Sequence, residues 1–147
     1  MKNVMFVCTG NICRSALAEY LFNNNKKAQA LNLKANSSGV GALVGHSSDP
    51  SVRKILEQEG ISGQGHIAQQ ISQDLVNKTD VILVMEPHHR KAILAQFPDA
   101  RSKVFLLRHR DQLGIIDPYK KDFAVFEQIH EEIKQGIDEW ILTLSSL

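Results

Sequence analysis

Asn3-Val4-Met5-Phe6-Val7-Cys8-Thr9-Gly10-Asn11-Ile12-Cys13-Arg14-Ser15 decides the fold of this chain. Val4 to Val7 is an unbroken apolar run, which is what a strand covered on both faces requires. From Ala16 to Asn24 the spacing changes, and Leu17, Tyr20 and Leu21 fall on one helical face. Strand, loop and helix form the opening unit, with Cys8 to Ser15 as the loop. Ligands in open α/β sheets bind beyond the carboxyl ends of the strands, so an anion site is expected here. A loop that winds into a helix N-terminus aims several backbone N–H groups at one point, and the helix adds partial positive charge. Gly10 lets the backbone turn. Arg14 supplies a planar guanidinium able to grip two phosphate oxygens at once. A tetrahedral dianion suits that donor set. The same field favours the thiolate of Cys8 as a nucleophile, with Ser15 placed to donate to its sulfur.

Working outward, Leu33 to Ser38 reads as a second strand, followed by a Gly-rich connection from Gly39 to Gly45. A helix opens at Asp49-Pro50, where Asp caps and Pro suits the first turn, and Gly60 closes it. Val81 to Met85 is the clearest central strand, and Val104 to Leu107 repeats its pattern. A helix over Pro87 to Gln96 connects them. Phe123, Phe126, Ile129, Ile133, Ile137, Ile141 and Leu144, at spacings of three and four, form an apolar stripe fit to dock on the sheet. Alternating strands and helices imply a single α/β domain over 1–147: three layers, a four-stranded parallel sheet flanked by helices, and a phosphate-binding loop after the first strand.

The chain has 147 residues, with 17 basic and 16 acidic side chains and a formal charge of +1, so no strong field argues for nucleic acid or a membrane surface. No stretch approaches the length of a membrane span. The apolar run that ends at Cys8 is too short and wrongly flanked for a secretion signal. The 2 cysteines, Cys8 and Cys13, make neither a disulfide framework nor a four-ligand zinc pattern, and a reducing cytoplasm suits reactive thiols. His88-His89 and Arg108-His109-Arg110 read as solvated surface.

Cys, five residues, Arg, Ser resembles the phosphate loop of the protein tyrosine phosphatases. Val-Cys-Thr-Gly-Asn-Ile-Cys-Arg-Ser at this N-terminal position is similar to the low-molecular-weight branch, bacterial type. That family carries Asp-Pro-Tyr late in the chain with its aspartate as general acid, and Asp117-Pro118-Tyr119 matches it. The resemblance extends through Ser37-Ser38-Gly39, Gly45-His46, Asp49-Pro50, His66-Ile67-Ala68 and Val81 to Glu86. It implies catalysis by Cys8, Arg14 and Asp117, with no cofactor and no metal. Substrate contacts are expected from Thr9, Gly10, Asn11, Ile12, Cys13, Ser15 and Tyr119. It further implies a polar network in which Asn11, Ser37 and His66 hold the loop. Two positions depart from the family pattern. Gln69 stands where an arginine is usual, which removes that arginine's loop contacts, and Lys120 replaces a second tyrosine.

The resemblance implies hydrolysis of phosphotyrosine through a phosphocysteine on Cys8. It also implies a phosphotyrosine-containing protein partner, with a bacterial tyrosine kinase of capsule or exopolysaccharide export as the candidate. Three rivals fit less well. A thioredoxin-coupled arsenate reductase needs cysteines beyond Cys13, which the chain lacks. A sugar-transport phosphocarrier leaves Arg14 and Asp117 without a task. A binding module without catalysis has no need of both Cys8 and Asp117. Phosphoarginine is a rival substrate, and Ile12, where relatives acting on it tend to have threonine, favours an aromatic ring.

Overall fold

Along the first strand, Val4, Phe6 and Cys8 alternate with Met5 and Val7, and the two sets are buried in separate clusters. A strand sends successive side chains to opposite faces, so this segment must be covered on both. The computed structural model describes residues 2–146. In it the segment is β1 (Lys2–Cys8), flanked by parallel neighbours on each side. β2 (Leu33–Gly39) pairs with it from Lys2↔Leu33 to Cys8↔Gly39. β3 (Val81–Val84) pairs on the other side, from Val4↔Val81 to Val7↔Val84, and β4 (Val104–Leu106) extends the sheet from β3. The order is β2-β1-β3-β4, the four-stranded parallel sheet expected. The chain leaves β1 in one direction to reach β2 and returns to its other side for β3. The carboxyl ends of β1 and β3 therefore frame the crevice where open α/β sheets bind ligands.

α1 (Arg14–Asn23), α3 (Pro50–Gln58) and α6 (Phe123–Ser145) cover one face, where Leu17, Phe22, Ile55, Leu56, Ile129 and Ile133 close over Val4 and Phe6. The rings of Phe6 and Phe22 meet edge to face at 5.6 Å. Each such side chain, fully buried, contributes roughly 1.5–3 kcal/mol, so the stripe on α6 suffices to seat that helix. α4 (Gln73–Lys78) and α5 (Pro87–Gln96) cover the other face, with Val76 and Ile93 against Met5, Val7, Ile82 and Val84. A short 3-10 helix, Pro98–Lys103, leads into β4. Among the described residues no helix is long and apolar enough to cross a membrane.

α1 starts at Arg14, two residues before the apolar spacing begins, which puts Arg14 and Ser15 in its first turn. α3 follows its sequence signals: the Asp49 side chain accepts from Ser51 N, Pro50 opens the helix, and Gly60 lies just beyond its end at φ +74°. α2 (Lys26–Ala30) and α4 were not legible from periodicity. They are 5 and 6 residues long, and caps make them: Asn25 accepts from Lys27 N and Ala28 N, and Ser72 from Leu75 N. The reading of His88-His89 as surface is corrected. His88 is exposed, but His89 faces inward from the first turn of α5 and is fully buried. Arg108 is likewise half-buried, because it pairs with Asp111 and Glu132 at 2.9 and 3.3 Å.

Candidate active site

Residues 9–13 leave β1 and wrap into the start of α1, and three neighbouring segments hold that path. Val40 N, Gly41 N and Leu43 N donate to the carbonyls of Cys8, Thr9 and Gly10, each at 3.0 Å. This close approach needs Gly39, because a Cβ there would lie 2.2 Å from the Thr9 carbonyl oxygen. On the other side Asp49 N donates to Ile12 O at 2.9 Å.

Asn11 sits at the apex with φ +61°, a left-handed conformation that costs most residues about 1–2 kcal/mol and that Asn tolerates. Its side chain and carbonyl are both engaged. Nδ2 donates to Ser15 Oγ at 2.8 Å and to Ser37 Oγ at 3.0 Å, while Oδ1 accepts from Gln69 N at 2.9 Å. The Asn11 carbonyl accepts from His66 Nε2 at 2.7 Å. Asn11, Ser37 and His66 thus meet in space as well as in expectation. The sequence reading missed two further members. Ser37 Oγ donates to Glu19 Oε1 at 2.5 Å, and burial raises the Glu19 carboxyl above its ordinary value despite that bond and the nearby His66. Gln69, which stands where an arginine is usual, joins the network through its backbone N–H and donates Nε2 to Ser37 O at 2.9 Å.

Cys8 Sγ lies 2.9 Å from Ser15 Oγ, the short partner of that hydroxyl, which also reaches Ser38 O at 3.4 Å. Since Ser15 Oγ already accepts from Asn11, its own proton is available to the sulfur. Arg14 is almost wholly buried: Nη1 donates to Glu86 Oε1 and, at 2.7 Å, to Ile115 O, and Nη2 is 3.9 Å from Asp117 Oδ2. Its Nε has no hydrogen-bond partner among the described residues. A buried guanidinium N–H left unpaired is costly unless an acceptor reaches it, which suits an anion bound above the loop. Burial raises the Glu86 carboxyl, but its hydrogen bond to Arg14 and that cation's charge outweigh this and hold it below the ordinary carboxylate range.

Cys8, Thr9, Gly10, Ile12, Cys13, Arg14, Asp117 and Tyr119 line one cleft of about 200 Å³, together with Gly41 and Leu43, which the sequence reading did not single out. Asp117 is half exposed at its rim and accepts from Tyr119 N at 3.0 Å, a turn that orients both side chains. Ser15 is buried beneath the cleft. Cys13 is buried, and burial together with Asp49 and Cys8 pushes its thiol up, so it remains protonated. Glu86 and His89 were not anticipated as site residues. The signal for Glu86 was its place just past β3, which ends at Val84 on the same edge that carries the loop. Glu86, His88 and His89 could group ligand atoms within 4.8 Å, but a cation there would have to break the Arg14–Glu86 pair.

A parallel α/β domain with a strand-to-helix anion loop at its topological switch, carrying a cysteine and a buried arginine, defines the class of phosphate-loop enzymes. Residues 3–146 match the family model described as low molecular weight phosphotyrosine protein phosphatase, and the chain belongs to that family of hydrolases. It is 38% identical to the probable low molecular weight protein-tyrosine-phosphatase EpsP of Ralstonia solanacearum, over 100% of this chain and 99% of the relative. The crystal structure of the Erwinia amylovora tyrosine phosphatase AmsI superposes with a TM-score of 0.86 at 35% identity, covering 97% of this chain and 92% of that one. The YwlE arginine phosphatase of Geobacillus stearothermophilus superposes with a TM-score of 0.91 at 28% identity, covering 99% and 94%.

Proposed function

We propose that the protein hydrolyses phosphotyrosine on proteins through a phosphocysteine on Cys8. The observation that carries this is the convergence of Cys8, Arg14 and Asp117 on one cleft whose walls, Ile12, Leu43 and Tyr119, suit an aryl ring. The Cys8 thiolate attacks phosphorus and forms an S–P bond as the P–O bond to the leaving phenol breaks. Asp117 hands its proton to that oxygen. Water then attacks the phosphocysteine, Asp117 takes the proton back, and inorganic phosphate and the thiolate are released. Arg14 and the loop amides stabilise charge on the equatorial oxygens, and Ser15 donates to the sulfur as it leaves. The chemistry asks for no metal or cofactor. The partner is a phosphotyrosine-containing protein in the cytoplasm, with a bacterial tyrosine kinase of capsule or exopolysaccharide export as the leading candidate.

The decisive experiment is Cys8→Ser assayed with a phosphotyrosyl peptide. A neutral hydroxyl fits the space but is a far poorer nucleophile, so turnover should vanish while inorganic phosphate still binds. Substantial residual hydrolysis would refute the phosphocysteine. The similarity to an arginine phosphatase supports a second substrate, phosphoarginine. Turnover of both phosphoamino acids by one sample separates the two, and the apolar Ile12 wall favours phosphotyrosine.

A further inference from the structure

His89 is fully buried, lies outside the nucleophile, anion-binding and acid roles assigned above, and has both ring nitrogens engaged. Nδ1 accepts from the backbone N–H of Glu86 at 3.0 Å, and Nε2 lies 2.9 Å from Thr9 Oγ1. A neutral imidazole offers one acceptor and one donor. With Nδ1 taken as acceptor, the proton must sit on Nε2 and point at Thr9. The Thr9 hydroxyl is then an acceptor toward His89, and its single proton is free. Thr9 lines the cleft beside Cys8 and is otherwise exposed. Thr9 and Arg14 are thus both held from the start of α5, Arg14 by the Glu86 carboxylate at its N-cap and Thr9 by the His89 ring in its first turn.

Resting on the reading of the cleft as a phosphoryl site, we propose that His89 is a positioning residue. Its Nε2–H tautomer fixes the Thr9 hydroxyl so that Thr9 donates to the anion held by Arg14, and it ties the phosphate loop to the helix that anchors Arg14. Burial first, then the charges of Arg14 and His88, push the His89 imidazole down to about 3, which keeps the neutral ring that this pattern requires. Protonation would cancel the acceptor that Glu86 N–H uses and set a cation beside Arg14.

The test is a double-mutant cycle. Wild type, Thr9→Val, His89→Asn and the double variant are compared for kcat and KM with 4-nitrophenyl phosphate, inhibition by inorganic phosphate, and Tm. Asn can still accept from Glu86 N–H, but it is too short to reach Thr9, so it removes one bond and leaves the helix start. Each single change should weaken phosphate inhibition about threefold to tenfold, the worth of one hydrogen bond, and the double variant should be no weaker than the weaker single. His89→Gln, which restores an N–H near the Nε2 position, should return inhibition to within about twofold of wild type. Multiplicative losses in the double variant, or a fall in Tm with phosphate inhibition intact, would overturn the assignment. So would nitrogen NMR of wild type showing the proton on Nδ1. A wild type that neither turns over the ester nor binds phosphate would overturn the phosphatase reading and this inference with it, which separates the two failures.

Discussion

Acid should destabilise the protein through His89, at pH values above those at which Glu86 is protonated. The ring's ordinary value of 6.5 applies in the unfolded chain, whereas burial and the neighbouring cations push it down to about 3 in the fold. Below 6.5 the unfolded state binds a proton that the native state refuses. Stability from this group is therefore complete above 6.5 and is lost progressively as pH falls toward 3. Each pH unit in that window removes at most about 1.4 kcal/mol. Down to the ordinary carboxylate value of 4.5 the ceiling is about 2.7 kcal/mol, and relaxation and water entry around the ring reduce it to roughly 1–2 kcal/mol. Glu86, held low, contributes stability that is lost only below 4.5, outside this window. Glu19, raised by burial, works in the opposite sense and gains stability as pH falls through its folded value. It is common to wild type and His89→Gln, so the difference between them isolates His89. Urea unfolding followed by the fluorescence of Trp140, at a series of pH values from neutral to 4.5, measures it. Wild type should lose stability relative to His89→Gln as pH falls. Parallel curves for the two proteins would refute the buried neutral imidazole.

Asp117→Ala should slow phosphotyrosine by roughly 10²–10³-fold and an activated aryl phosphate far less, because an acidic phenol departs without a proton; rates across leaving groups of graded acidity check this. Gly39→Ala should cost about 2–3 kcal/mol and weaken phosphate binding, since a Cβ 2.2 Å from Thr9 O forces apart the segments that carry the loop. Urea midpoints and phosphate inhibition read the two effects. Peroxide should oxidise Cys8 to a sulfenic acid, and the Cys13 thiol should displace water from it to form a disulfide that a dithiol reopens. Wild type is then expected to recover activity after reductant while Cys13→Ala stays inactive; equal recovery would make Cys13 purely structural.

The fold was legible because local physics agrees with the tertiary answer. The unbroken apolar run at Val4 to Val7, too short for a helix, is used as a strand covered on both sides, and the stripe from Phe123 to Leu144 is buried on one helix face. The cleft residues Cys8 and Arg14 and the loop between them were legible too, because a strand-to-helix turn aims contiguous backbone groups at one point, and Asp117-Pro118-Tyr119 carried its own local pattern. The short helices α2 and α4 escaped because single caps, not periodicity, form them.

What only the tertiary structure decided is which distant side chains close around those local motifs. Arg14 meets Glu86 because β1 and β3 are neighbours whose carboxyl ends share one edge, a pairing across 72 residues that no local pattern encodes. His89 looked like one of two surface histidines. It is instead a buried ring, because helical geometry turns adjacent residues through about 100° and carries His89 inward and His88 out. Glu19 and Gln69 joined the support of Asn11 in the same way, through strand order and helix docking. The sequence by itself determined the strand-to-helix loop from Cys8 to Arg14 and the Asp117 turn that face one cleft. The packing of the sheet determined which groups hold those residues in place, because hydrogen-bond partners are chosen by distance in space.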